Sequence, residues 1–349
     1  MRFDRQSGVF LHPTSLPSPH GIGDLGAGAY EFVDFLAQAD QSLWQFCPLG
    51  PTSQAHGNSP YQSYSAFAGS PLLIDLRQLA EEGYLTEAEI EPREEFSPHH
   101  TKYEAVAEFK EERLRTAKDR FDETAGESDR SAFEQFSERE AGWLDDYALF
   151  MALKAEFDGS LWTEWPGEVK TRDPDALAQY REQLSDEVEY HKFLQWQFDS
   201  QWNELAAYAG DQGIRLVGDI PIYVALDSAD VWADPDIFML DENNNPTDVA
   251  GVPPNPGDDG QKWGNPVYDW DALRENNYQW WLDRFERLFN QVDIARIDHF
   301  KGFDEFWAIP AQADDPGAGM WLDGPGADFF ETVERELGDG PFFGEDLGF

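Results

Sequence analysis

Short apolar runs alternate with amphipathic helical patterns at both ends of the chain. The run at 292–302, VDIARIDHFKG, contains Val292, Ile294 and Ile297 and predicts a short buried strand. Similar runs predict four further strands, at 8–16, 42–52, 214–224 and 341–349. Helical patterns such as GAYEFVDFLAQA and NYQWWLDRFERLFNQ lie between the runs. This alternation is typical of parallel α/β folds.

The segment between the second and third predicted strands has a different pattern. Residues 78–210 are dominated by helical stretches rich in Glu, Lys, Arg and Ala, which predicts a helical insertion. We therefore divide the chain into three parts. Residues 1–75 hold strands one and two and a polar loop at 53–69, which we call the substrate loop. Residues 76–205 are the mainly helical insertion, and residues 206–349 hold strands three to five with the catalytic candidates.

Each predicted strand carries polar residues at its carboxyl end, namely His12, the 51–62 loop, Asp219, Asp298 and Glu345. Functional residues at successive strand ends are typical of a (β/α)8 (TIM) barrel. We expect an α/β fold of this type with helical insertions, with only about the first five barrel strands present. A doubly wound sheet agrees better with five strands, but it gives no reason for so many carboxylates at strand ends.

Arg296 and Asp298 lie two residues apart on a predicted strand, so their side chains point to the same face. Burying either charge without a partner is costly, which indicates that they serve one pocket together. The cation would hold Asp298 ionised. His299 faces the other way or lies just past the strand end. Asp219, at the end of strand three, could in turn hold Arg296.

Asp298 and Glu345 end apolar runs at the same relative position in consecutive strand units. Retaining glycoside chemistry needs two carboxylates about 5 Å apart, one as nucleophile and one as acid/base. Taken alone, each carboxylate has an alternative role in a structural ion pair; together, at strand ends, they favour catalysis. His12 is either a structural histidine with satisfied hydrogen bonds or a hydrogen-bond partner for a sugar.

Two other motifs suggest different chemistry. GIGDLG at 21–26 matches a dinucleotide fingerprint, but three prolines separate it from the strand, where a tight turn is required. A nucleotide-dependent enzyme is therefore a minor alternative. DENNNPTD at 241–248 begins like a calcium loop, yet Pro246 and Val252 replace the required Gly and Glu. Cys47 is the only cysteine, which excludes a Cys-based metal site, and His12, His56 and His299 show no metal-ligand spacing.

The charge balance narrows the partners and the environment. The net charge is −44, from 69 acidic and 25 basic residues. Such repulsion destabilises a compact fold at low salt and argues against nucleic acid and anionic membranes as partners. We infer adaptation to a high-salt cytoplasm. The aromatic content of 15%, with 13 Trp, reflects either a large aromatic core or a sugar-binding surface. No apolar run suggests a signal region or a membrane span.

Several long motifs make the chain resemble the 4-α-glucanotransferases, also called amylomaltases or disproportionating enzymes, of the α-amylase clan. They include LHPTSLPSPHGIGDLG, SPYQSYSAFAGSPLLIDL, GDIPIYVALDSADVWA, GQKWGNPVY, RIDHFKGF and GEDLG. The resemblance implies a (β/α)8 barrel that needs no metal or organic cofactor. It also implies α-1,4-glucan and maltooligosaccharide substrates from starch or glycogen.

The resemblance assigns roles residue by residue. Asp298 matches the family's nucleophile and Glu345 its general acid/base, with Arg296 and His299 flanking the nucleophile and Asp219 as a supporting carboxylate. The implied reaction is a retaining double displacement through a covalent glucosyl-enzyme. The remaining matches are substrate contacts: Tyr61 and Ser59 at glucan-contacting positions, and Gln261 and Trp263 on an acceptor-side loop over the cleft.

Two departures from the family pattern affect these expectations. The loop after VAGVPP reads NPGDDG, where the family carries an aromatic, polar segment. In addition, the family continues past EDLG through three more barrel strands and a third catalytic carboxylate. We expect a truncated chain, or one completed by a separate segment, with weak or absent catalysis. The alternatives to transfer are therefore a glucan-binding fragment without turnover and a plain hydrolase of the same clan.

Overall fold

The computed structural model describes residues 5–93 and 95–345. The strands are β1 (Gly8–Phe10), β2 (Leu43–Gln45), β3 (Arg215–Pro221), β4 (Asp248–Val252), β5 (Gln261–Pro266), β6 (Ile294–Asp298), β7 (Glu305–Pro310), β8 (Met320–Asp323) and β9 (Phe342–Gly344). All five predicted strands are present, each shorter than its apolar run. The predicted fifth strand extends into residues 346–349, which lie outside the described residues.

The helices of the first half are α1 (Ala27–Gln38), α2 (Leu76–Glu81), α3 (Glu87–Ile90), α4 (Tyr103–Thr124), α5 (Glu127–Arg139), α6 (Ala141–Glu156), α7 (Gly167–Lys170) and α8 (Pro174–Gln183). Those that follow are α9 (Ser185–Asp211), α10 (Ala229–Ala233), α11 (Trp270–Glu275), α12 (Gln279–Gln291) and α13 (Ala327–Leu337). The long helix α9 runs through residue 205, so the boundary predicted there falls inside a helix.

The main sheet is parallel and has the strand order β1-β2-β3-β6-β9. Within this sheet each strand lies beside the strand of the sheet that follows it in the chain, which is the arrangement of consecutive strands around a (β/α)8 barrel. Helices α9, α12 and α13 each lead into a strand of this sheet. The predicted fold class is therefore confirmed, and the carboxyl ends of all five strands lie at one edge.

A second, antiparallel sheet has the order β5-β4-β7-β8. From the sequence we predict loops rich in Pro, Asn and Asp up to about residue 266 and another loop at 307–330, and the strands in these segments show that this prediction is wrong. Two of the strands escape detection because their exposure does not alternate cleanly: β5 reads exposed, exposed, half-buried, exposed, buried, buried, and β8 is largely exposed. The apolar-run criterion finds strands that are buried on both faces and misses strands with one open face.

The helical insertion supports the loop that precedes it. Two buried glutamines of α9 pair with loop backbone as a neighbouring strand would. The side-chain amide of Gln195 exchanges hydrogen bonds of 2.8 and 2.9 Å with Gly69, and that of Gln201 exchanges bonds of 2.7 and 3.1 Å with Asp75. These pairs satisfy backbone groups that would otherwise be buried without a partner.

The aromatic residues are mainly structural. Eight of the 13 tryptophans are buried in the two hydrophobic cores. The core therefore accounts for most of the high aromatic content. Trp263 is half-buried and remains available to a ligand. Among the described residues no helix is long and apolar enough to cross a membrane.

Candidate active site

Strand order places the predicted catalytic residues on three adjacent strands. Strand β6 lies between β3 and β9, with Asp219 in register with Arg296 and Ile297 in register with Gly344. Asp298 ends β6, and Glu345 directly follows β9. The backbone register therefore brings the carboxylates of all three strand ends to one place.

The guanidinium of Arg296 joins the three carboxylates. Its Nη1 lies 2.6 Å from Oδ1 of Asp219, and its Nη2 lies 2.7 Å from Oδ1 of Asp298 and 2.6 Å from Oε2 of Glu345. Because Asp298 and Glu345 share one nitrogen, these two oxygens can be no more than about 5 Å apart, which is compatible with the close carboxylate pair of retaining glycosidases and too short for the wider pair of inverting ones.

The electrostatics of this cluster follow from burial and from one cation facing three anions. Burial raises the pKa of Asp219 above its usual range, against the opposing effect of Arg296. Burial and the charge of Asp298 likewise raise the pKa of Glu345, again opposed by Arg296. Burial alone would lower the pKa of Arg296, but the attraction and hydrogen bonds of Asp219 and Asp298 raise it overall. Arg296 is therefore a permanent cation.

His299 follows the nucleophile candidate in a strained backbone conformation. Its φ of 55° and ψ of 44° are left-handed, which is uncommon for a residue with a side chain. In this conformation its backbone N–H donates to Oε1 of Glu345 at 3.0 Å. Glu345 is thus held at one oxygen by Arg296 and at the other by the β6 turn. Strained residues of this kind concentrate at functional sites.

The substrate loop reaches the cluster through Tyr61. The hydroxyl of Tyr61 donates to Oδ2 of Asp219 at 2.8 Å and lies 3.9 Å from Sγ of Cys47. The hydroxyl of Ser59 accepts the backbone N–H of Tyr61 at 3.3 Å, which helps to set the turn. Burial and the neighbouring Asp219 raise the pKa of Tyr61, so it remains a hydrogen-bond donor.

The antiparallel sheet contributes Trp263 to the site. The ring of Trp263, on β5, meets the ring of His299 edge-on, with centroids 4.9 Å apart. The indole N–H of Trp263 donates to the side-chain oxygen of Gln261 at 2.8 Å. The two residues that were predicted to lie over the cleft therefore contact each other, and one of them contacts His299.

The chain matches the family described as 4-alpha-glucanotransferase, glycoside hydrolase family 77, over residues 11–349. It belongs to this family. The chain is 46% identical to the 4-alpha-glucanotransferase of Thermus thermophilus, over 100% of its own length and 69% of that protein. It is 45% identical to the enzyme of Streptococcus pneumoniae, over 99% of its own length and 68% of that protein.

Solved structures of amylomaltases agree with this assignment. The fold is similar to amylomaltase from Streptococcus agalactiae in complex with acarbose, with a TM-score of 0.94 and 41% identity, covering 99% of this chain and 70% of that one. Amylomaltase from Corynebacterium glutamicum has a TM-score of 0.75 at 21% identity, covering 99% and 48%, and supports the fold alone.

The hydrogen-bond partners of His12 are Thr14 and Pro48, and neither belongs to the carboxylate cluster of this member of the glucanotransferase family. Its Nδ1 lies 2.7 Å from the hydroxyl of Thr14, and its Nε2 lies 3.3 Å from the carbonyl oxygen of Pro48. Burial lowers the pKa of His12, so the ring is neutral at neutral pH. With both nitrogens engaged, His12 fits the structural alternative better than that of a sugar hydrogen-bonder.

The glycine-rich segment 21–26 does not form a phosphate cradle. A side chain on Gly23 would lie 2.0 Å from the carbonyl oxygen of Pro13, and one on Gly26 would lie 2.6 Å from the carboxylate of Asp75. These glycines allow close packing of the loop, and the charged group beside Gly26 is the carboxylate of Asp75. The nucleotide alternative therefore has no support from this geometry.

One group among the described residues has metal-ligand spacing, formed by His20, Asp24 and Asp75. The amino nitrogen of Lys110, which is fully buried, already lies 3.6 Å from Asp24 and donates to the carbonyl oxygens of Leu72 and Ile74. The amino group of Lys110 therefore already occupies this pocket. Asp241 in the calcium-like segment caps a turn by accepting the backbone N–H groups of Asn243 and Asn245.

We predict that Tyr61→Phe lowers the free energy of unfolding by about 1.5–3 kcal/mol, because it removes a hydrogen bond to a carboxylate that is only 5% exposed. Chemical unfolding in a high-salt buffer measures the change. Tyr208→Phe is the matched control, since Tyr208 donates to Asp34, which is only half-buried. Equal losses in the two variants would contradict the structural role of the Tyr61–Asp219 bond.

Proposed function

We propose that the chain transfers α-1,4-glucan segments between maltooligosaccharides by a retaining double displacement. The observation that carries this proposal is the shared contact of Asp298 and Glu345 with Nη2 of Arg296 at adjacent strand ends. Two carboxylates at this separation fit a nucleophile and an acid/base that act on the same glycosidic bond. The family membership supplies the substrate class.

In the first step, Glu345 donates its proton to the glycosidic oxygen while a carboxylate oxygen of Asp298 attacks the anomeric carbon. The bond from that carbon to the leaving glucan breaks, the leaving chain departs with a 4-hydroxyl, and a β-glucosyl ester of Asp298 forms. In the second step, ionised Glu345 removes the proton from the 4-hydroxyl of an acceptor glucan. The acceptor oxygen attacks the anomeric carbon, the ester breaks, and an α-1,4 bond is restored.

The supporting residues hold the two carboxylates in place. Nη2 of Arg296 contacts both Asp298 and Glu345, and Asp219, which accepts from Tyr61, contacts Nη1 of the same guanidinium. The raised pKa of Glu345 favours the protonated form that the first step needs. A carboxylic acid with a raised pKa is what acid catalysis near neutral pH requires.

Transfer requires that an acceptor sugar reaches the ester before water does. Trp263 and Tyr61 stand on different sides of the carboxylate cluster and offer aromatic surfaces to a glucan. Apolar faces of sugar rings pack against such surfaces and displace water. We therefore assign acceptor binding mainly to Trp263 and Gln261, and further glucan contacts to Tyr61 and Ser59.

Incubation of the 349-residue chain with maltotriose tests this function. Transfer yields glucose together with products longer than maltotriose. Glucose and maltose without longer products would indicate a hydrolase, and maltotriose binding without any products would indicate a glucan-binding protein. Either of the last two results would overturn the proposal.

The acidic surface leads to a second proposal, adaptation to a salt-rich cytoplasm. At a net charge of −44, repulsion is screened over about 10 Å in 0.1 M salt but over only about 3 Å in 1 M salt. We predict that the midpoint of thermal unfolding rises steeply as KCl increases to about 1 M and more slowly beyond that. Sucrose at equal osmolality is the control. An unchanged midpoint in salt-free buffer would contradict the adaptation.

A further inference from the structure

Gln62 links the substrate loop to the antiparallel sheet. Its side-chain nitrogen donates to Oδ1 of Asn265 at 2.8 Å and to the backbone carbonyl oxygen of Trp263 at 3.3 Å. Both amide hydrogens are thus used, and both acceptors belong to strand β5. The contact joins segments that are about two hundred residues apart in the chain.

Asn265 makes this link rigid. It is only 4% exposed, and its own amide donates to the backbone carbonyl oxygen of Val224 at 2.9 Å. Because Nδ2 is committed to Val224, Oδ1 is the atom that remains to face Gln62. Position 62 therefore needs a hydrogen-bond donor, because the buried side chain of Asn265 presents an acceptor to it.

The two ends of the link contact different residues of the site. Tyr61, next to Gln62, donates to Asp219, while Trp263 packs edge-on against His299. Among the described side chains, Gln62 is the one that hydrogen-bonds directly from the loop of Tyr61 to the strand of Trp263. A shift of β5 relative to this loop would change the width of the cleft without moving the carboxylates.

We propose that Gln62 is a positioning residue that fixes Trp263, on the acceptor side of the cleft, relative to Tyr61 and the carboxylate cluster. The kinetic part of this inference rests on the proposed glucan transfer. Gln62 acts through Trp263 and takes no part in bond making or breaking. Its effect therefore falls on acceptor binding and on the competition between acceptor and water.

Gln62→Glu is the decisive variant, because a carboxylate has no hydrogen to donate to either oxygen and is repelled by both. Two hydrogen bonds that hold Trp263 in place are lost, so we expect the KM for a glucose acceptor to rise by about tenfold or more, and the hydrolysed fraction to rise with it. The donor kcat/KM should change less than twofold. Lower pH should restore acceptor binding, since the introduced carboxyl group, once protonated, can again donate one hydrogen bond.

Gln54→Glu is the matched control, since Gln54 is exposed on the same loop and undergoes the same change of charge. A similar rise in acceptor KM in this control would overturn the proposal. A loss of donor kcat/KM in Gln62→Glu with unchanged acceptor KM would do so as well. Recovery at low pH separates the lost hydrogen bond from general damage to the fold.

A spectroscopic test holds even where no transfer is detected, so it separates this inference from the proposed function. Gln62→Glu should shift the tryptophan emission of the whole protein, and the shift should reverse at low pH. In a Trp263→Phe background the same substitution should leave the emission unchanged. An equal shift in both backgrounds, or no shift in either, would show that Gln62 does not position Trp263.

Discussion

Asp298→Asn is expected to lower the rate of glucan transfer by at least about 10⁴-fold, the size of loss seen when an essential member of a catalytic group is removed. The amide cannot form the ester that carries the glucosyl group, so the double displacement stops at its first step. Formation of glucose and of longer products from maltotriose measures the loss. The shape of the side chain is almost unchanged, so glucan binding should remain.

We expect Asp298→Asn to lower the transfer rate without lowering the stability of the fold. Three carboxylates surround the single cation Arg296, so removing one of them relieves repulsion. We expect an unfolding midpoint equal to or above that of the unmodified chain, as for other sites in which function is held against stability. Asp304→Asn is the control, because Asp304 is exposed six residues further along. Comparable activity losses in both variants would contradict the assignment.

The buried parts of the fold could be predicted from the sequence. Strand β6 is apolar at Ile294, Ala295 and Ile297, and such runs stand out because both faces of a barrel strand are covered. Strand-end reasoning also singled out Asp219, Asp298 and Glu345, since parallel strands bring their carboxyl ends to one edge. In both cases the sequence pattern of each strand is sufficient to identify it, and the parallel arrangement of the strands then brings their carboxyl ends together.

The antiparallel sheet could not be predicted because its strands have no local signature. Strand β4 contains Gly251, whose Cα approaches the backbone of Gln261 so closely that a Cβ would lie 2.1 Å from its carbonyl oxygen. Glycine in a strand usually marks such an approach, but in a single sequence it indicates a loop equally well. The role of Trp263 was inferred from the family resemblance; its contact with His299 required the sheet.

The contacts that tune the site were also beyond the sequence. Tyr61 lies 158 positions from Asp219, and nothing in either segment specifies their hydrogen bond. The sharing of one guanidinium nitrogen by Asp298 and Glu345 depends on side-chain rotamers on two strands. The left-handed backbone of His299 is uncommon for any residue other than glycine and is set by the turn it makes after β6. Such features come from tertiary packing, whereas periodicity reports only burial.

Glu345→Gln should separate the two chemical steps, because the amide can neither donate nor accept the catalytic proton. With maltotriose we expect a loss of about 10²–10⁴-fold, the usual contribution of general acid/base catalysis. An α-maltosyl fluoride donor should restore the first step, since fluoride departs without protonation. The variant should then release a burst of fluoride equal to the enzyme concentration and stall as the maltosyl ester of Asp298.

The pH dependence provides an independent check on the same residue. Burial and the charge of Asp298 raise the pKa of Glu345, and the first step needs its protonated form. The kcat/KM for maltotriose should therefore fall as pH rises through that pKa, at a higher pH than an ordinary glutamate would give. With the fluoride donor, the rate of the fluoride burst in Glu345→Gln should not decrease as pH rises through this range. If the fluoride donor were as poor a substrate for Glu345→Gln as maltotriose, Glu345 would not be the acid, and the assignment of the two carboxylates would have to be abandoned.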